Sequence, residues 1–178
     1  MRPILAFAIA AGCAVPAAAQ QYIPKEFLQA ELERQKGIVL KYVDAAPDSM
    51  LGFRPTQGVR NYAQQIEHIF QPIVFILPQA LGSSSKAPDC GKPEAYLANK
   101  ALLRDCVSKS FDFGIALIRD LPPEGLTREG EFKPGGRPMK MVGYKWVAGI
   151  LDHCAWTLGQ TVPYLRLNGV TPPAYSPF

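Results

Sequence analysis

Apolar positions recur along this chain with the 3.6-residue period of amphipathic helices, in four blocks separated by stretches rich in proline, glycine and serine. The first block predicts a helix over 24–46, with Pro24 suited to its first turn and Pro47-Asp48 closing it. Its inward candidates are Phe27, Leu28, Leu32, Val39 and Tyr42. The second, 59–81, takes Thr56 as its N-cap and carries Ile66, Ile69, Ile73, Phe75 and Leu77. Pro72 lies inside it and removes the donor that would reach the carbonyl of His68, which predicts a kink one turn beyond that histidine. The third runs over 93–121 from Pro93, with Tyr96, Leu97, Leu103, Val107, Phe111 and Ile118 inward. The fourth starts near Met139 and carries Ile150, Leu151, Cys154, Leu158, Val162 and Leu165. It stops at Gly169, with Pro172-Pro173 beyond. Loops 82–92 and 121–138 connect the blocks, and Trp146 and Trp156 read as core. With no period-two strand pattern, the chain is expected to be all-α: one four-helix bundle over 24–173 and a short tail, 174–178.

Composition narrows the function classes. A hydrophobic content of 48% with 19% charged residues, and a mean hydropathy of -0.00, exclude both a disordered chain and a polytopic membrane protein. The net charge of +4 comes from scattered Lys and Arg interleaved with Asp and Glu, so no nucleic-acid partner is expected. Residues 1–19 read as a secretory signal peptide: Arg2, an apolar run from Ile4 to Val15, then Ala17-Ala18-Ala19 before the cut. That run is too short to span a bilayer, so the mature chain is expected to be exported to a bacterial periplasm without a transmembrane span. A second reading makes Ala10-Ala11-Gly12-Cys13 a lipoprotein signal, with the protein anchored through Cys13.

The candidate chemistry centres on two histidines. His68 lies on the second helix; on the fourth, His153, Thr157 and Gln160 step along one face. Gln64 and Gln160, with Gln65 and Gln71, are candidates to line a polar pocket, against the commoner fate of exposed glutamines. Arg54, in Phe53-Arg54-Pro55-Thr56, either meets an anionic group or belongs to a structural turn. In an oxidising compartment Cys90 and Cys106 are candidates for a disulfide, the alternative being two thiols. If the third helix starts at Pro93, Cys106 lies about 20 Å along it, so the loop must fold back. Cys154 reads as a packed apolar residue. There is no P-loop and no Gly-x-Ser-x-Gly elbow.

Several segments together resemble the DinB-like family. His153-x3-Thr157-x-Gly159-Gln160, followed by Tyr164-Leu165-Arg166 and Gly169-x2-Pro172-Pro173, is similar to that family's last helix, usually His-x3-His-x-Gly-Gln and then Tyr-Leu-Arg. Gly52-Phe53-Arg54-Pro55-Thr56 through His68 resembles its turn into the second helix, and Ser110-Phe111-Asp112 a weaker third motif. The resemblance covers about 27–173. It implies a divalent metal such as zinc or nickel, held by His68, by His153 and by a third histidine where this chain has Thr157. A carboxylate from Asp112, or less suitably Glu67, would be the replacement. It further implies a metal-dependent hydrolase or thiol transferase acting on a small molecule, and a homodimer. The alternative is a non-catalytic binding or structural bundle that kept the scaffold and lost the third ligand.

Overall fold

The computed structural model describes residues 23–176; the signal-peptide and Cys13 readings lie outside the described residues, as do the last two residues of the tail. Helix α1 (Lys25–Ala45) turns its Leu28, Leu32, Val39 and Tyr42 stripe inward and ends before a 3-10 turn, Asp48–Met50. α2 (Tyr62–Phe75) is followed by the short α3 (Leu77–Ala80). α4 (Pro93–Tyr96) and α5 (Lys100–Arg119) come next, then strands β1 (Glu129–Phe132) and β2 (Met139–Val142). α6 (Gly143–Gly159) and α7 (Val162–Leu167) complete the chain. α1, α2, α5 and α6 are the four rods of the bundle; α1 and α2 each pack against both α5 and α6. The core between them is built from residues such as Leu32, Tyr62, Ile66, Ile69, Phe111, Ile118, Val147 and Leu158.

The ends of the helices depart from the expectations in five places, each for a local reason. α2 is capped by Asn61 rather than Thr56: the Asn61 side chain accepts from Gln64 N at 2.8 Å, and Gln64 Oε1 accepts in return from Asn61 N at 3.1 Å. The turn ahead of it closes through Gly58, whose φ of 84° favours glycine, and through Arg54, which donates to Val59 O and to Gln64 Oε1. α2 runs on through Pro72 and breaks only at Ile76, ahead of Pro78. Gln79 Nε2 takes up the Phe75 carbonyl at 2.7 Å.

The expected third helix divides at Leu97-Ala98-Asn99, because the Asn99 side chain caps a new helix, accepting from Leu102 N at 3.1 Å. That division brings Cys106 to the second turn of α5. Cys90 and Cys106 form a disulfide with a Cα–Cα distance of 5.1 Å, so no long fold-back of the loop is needed. The expected loop before the last helix contains an antiparallel hairpin in which Glu129 pairs with Val142 and Phe132 with Met139. β2 therefore occupies the start expected for the helix, which begins at Gly143. The break between α6 and α7 at Gln160-Thr161 precedes Pro163, and α7 ends at Leu167, with Asn168 as its C-cap and Gly169, whose φ is 72°, just beyond.

Three aromatic residues placed in the core from the pattern face outward instead: Phe27 is 54% exposed, Phe75 59% and Trp156 73%. Each lies beside the buried stripe of its helix rather than on it. Trp146 is buried and donates its indole N–H to Gly130 O at 3.2 Å, which seats the hairpin on α6. No helix among the described residues is long and apolar enough to cross a membrane.

Candidate metal centre

His68 on α2 and His153 on α6 meet across the bundle. Two buried anchors fix their register. One residue on from each histidine, the Cys154 thiol donates to Ile69 O at 3.3 Å. Burial pushes that thiol up to about 12, so it stays protonated and serves as a packed donor rather than a nucleophile. The second anchor is Tyr164 on α7, which donates its hydroxyl to Arg60 O at 2.9 Å and packs edge-on to Phe53, holding the turn ahead of α2 against the last helix.

Between these anchors the imidazole rings lie edge to face, 4.9 Å apart at their centroids and 80° between planes. His153 Nε2 is 3.4 Å from His68 Nε2 and 3.4 Å from Thr157 Oγ1. The i, i+4 spacing puts His153 and Thr157 on one face of α6, and α2 supplies the third group. His68 Nδ1 faces Gln71 Oε1 at 3.4 Å, whereas His153 Nδ1 is buried with no hydrogen-bond partner. Burial, then His68 and Arg60, hold His153 below its usual range, with Asp152 opposing them.

The other residues singled out in the sequence are placed as follows. Asp112 lies on the exposed side of α5, its carboxylate 2.7 Å from Lys36 Nζ, and is not brought to the histidines. Glu67 accepts the hydroxyl of Tyr96. Gln160 Oε1 accepts from Gln65 Nε2 at 2.8 Å, so these two join α2 to the end of α6 without touching the imidazoles. Gln64 belongs to the cap and to Arg54, and it lines an open cavity of about 360 Å³ together with Arg60 and Gln71. Arg54 is engaged by the turn. Gln71, the partner of His68, stood out in the sequence only as one glutamine among several; its position three residues after His68 on the helix is the signal that links them.

Does this donor set suit a divalent ion? Two nitrogens on one tetrahedral zinc, at about 2.0–2.1 Å each, lie about 3.3 Å apart, so the separation of the two Nε2 atoms is compatible with a shared ion. The rest of the set is not. The third group is a neutral hydroxyl, a weak ligand for zinc or nickel. Among the described residues no group of three or more His, Cys, Asp and Glu side chains is arranged to hold an ion. A ligating histidine also needs an acceptor for its second ring N–H, and His153 Nδ1 has none. The same geometry suits a metal-free arrangement in which His153 Nε2–H donates to His68 Nε2 and His68 Nδ1–H to Gln71 Oε1. That tautomer leaves only a lone pair of His153 buried, rather than an N–H.

Two solved structures share this architecture. A DinB-like protein from Bacillus cereus matches with a TM-score of 0.67 and 18% identity, over 85% of this chain and 97% of that one. A DinB-like protein from Bacillus subtilis matches with a TM-score of 0.66 and 13% identity, over 84% of this chain and 96% of that one. No curated protein is similar enough to match. The DinB superfamily model spans residues 31–160, from α1 through the histidine pair to Gln160, and on that match this chain belongs to the DinB superfamily.

Proposed function

We propose that this protein is a small-molecule-binding member of the superfamily that works without a resident catalytic ion. The observation that carries the reading is the buried, unpartnered Nδ1 of His153 beside a third position filled by the Thr157 hydroxyl. A tightly held ion would require His153 to keep a proton on Nδ1 with nothing to receive it, and two imidazoles with a neutral hydroxyl do not offset that cost. The histidine pair then acts as a hydrogen-bonding group between α2 and α6, close to the cavity lined by Arg60, Gln64 and Gln71. Export out of the cytoplasm is part of the proposal. A disulfide is at home in an oxidising compartment, and Cys90–Cys106 supports that placement.

A second reading, a metal-dependent hydrolase or thiol transferase, has one observation in its favour: the 3.4 Å separation of the two Nε2 atoms. In that reading His68 and His153 hold zinc or nickel, Thr157 adds a weak third contact, and the ion supplies an activated water or thiol. Metal content separates the two. The protein purified without a metal-affinity tag is expected to carry far less than one zinc or nickel per chain. A stoichiometric ion that disappears in both His68→Ala and His153→Ala would establish the second reading.

A further inference from the structure

A cavity of about 360 Å³ lies between α2, α4, α5 and the loop over 87–91, and Gln71 is on its lining as well as beside His68. We propose that it is a binding site for a small uncharged molecule: an aromatic ring or short alkyl group bearing one hydroxyl or amide.

Three features point to that class. First, the lining is largely apolar, with Phe70, Val74 and Phe75 from α2. Phe75 is 59% exposed, so a large apolar face stands at the opening, where a ligand would cover it. Second, Ser110 is fully buried on this lining and its hydroxyl has no hydrogen-bond partner. Buried polar groups are nearly always paired, and leaving one unmade carries a cost that a ligand hydroxyl or carbonyl would remove. Third, the lining suits neither sign of ion. Glu67 is committed to the Tyr96 hydroxyl and Asp89, the other charged residue on the lining, accepts from Gly91 N at 2.8 Å, so a cation finds both carboxylates engaged and an anion meets carboxylates with no cation to receive it. Both disulfide cysteines are on the lining, and the bridge ties the covering loop to α5, giving the cavity a preformed wall.

The site rests on the reading of this bundle as a small-molecule binder, but no histidine takes part. Its failure therefore leaves the metal content of the histidine pair as a separate result. The test uses phenol as the probe and the intact, disulfide-bonded protein, followed by the ¹H–¹⁵N shifts of the Gln71 side-chain amide and of the Val74 and Ser110 backbone amides. Saturable shifts at those groups are expected, with benzoate binding at least about tenfold more weakly than phenol, the cost of about 1.4 kcal/mol for an unreceived charge. Ser110→Ala is expected to weaken phenol by about fivefold, one hydrogen bond, while raising the melting temperature of the ligand-free protein. Opposite signs separate binding from damage to the fold. No saturable shift, equal affinity for benzoate, or unchanged phenol affinity in Ser110→Ala overturns the assignment.

Discussion

Thr157→His puts the donor set under direct test. Thr157 is buried at 1% exposure, one helical turn from His153, with its hydroxyl 3.4 Å from His153 Nε2. An imidazole there would join two nitrogens already separated by 3.4 Å, which makes a three-histidine site. Four-ligand structural zinc sites are worth about 10–16 kcal/mol, or roughly 3 kcal/mol per ligand. A third imidazole should therefore tighten zinc about a hundredfold. The larger ring must also be fitted into a closed part of the bundle, at a cost to the metal-free fold of about 1–3 kcal/mol. The two effects carry opposite signs: the variant melts below the wild type without metal and recovers in excess zinc. Zinc titration against a competing chelator measures the first effect and thermal unfolding the second. If wild type and variant bind zinc equally tightly, the argument from the missing ligand is wrong.

Three further outcomes follow from the same structure. His153 is held below its usual range, so the unfolded chain takes up a proton near pH 6.5 while the folded chain does so only at lower pH. Its contribution is fully present above about pH 6.5 and is lost as pH falls toward the folded value; unfolding midpoints between pH 7.5 and 5 should show this fall, shallower in His153→Gln. Reducing Cys90–Cys106, which are 16 residues apart, should lower stability by about 3 kcal/mol in urea unfolding, and an unchanged midpoint would argue against a structural bridge. A Cβ on Gly130 would sit 1.6 Å from the backbone oxygen of Ala80. Gly130→Ala should therefore cost about 2 kcal/mol and open the hairpin to protease, while chemical denaturation leaves the helical signal of the bundle in place until the main transition.

The bundle was legible because its four blocks carry a helical period strong enough to survive interruption. The interruptions were not, because each depends on a single polar side chain whose partner lies close by in space: Asn99 within an apparently continuous helix, and Asn61 rather than Thr56 ahead of α2. The hairpin was hidden by its shortness. Four-residue strands give little alternation, and Lys133-Pro134-Gly135-Gly136 between them was the one usable turn signal. At the site, the meeting of His68, His153 and Thr157 followed from the family resemblance and the i, i+4 spacing. The place of Asp112 did not. Its pairing with Lys36 depends on how α5 is rotated against α1, and the helical period gives the buried face without saying which cation waits beside the exposed one. Trp156 shows the converse, since a large apolar side chain one position off the stripe is left in solvent.

In the metal-free reading the two histidines bond to each other and not to an ion. Long-range ¹H–¹⁵N correlation of the imidazoles at pH 7.5, on protein purified without added metal, reads it most directly. A proton on His153 Nε2, an unprotonated His153 Nδ1, and His68 protonated at Nδ1 toward Gln71 are the expected result. Both Nε2 atoms unprotonated and metal-shifted, with the proton of His153 on Nδ1, would contradict it.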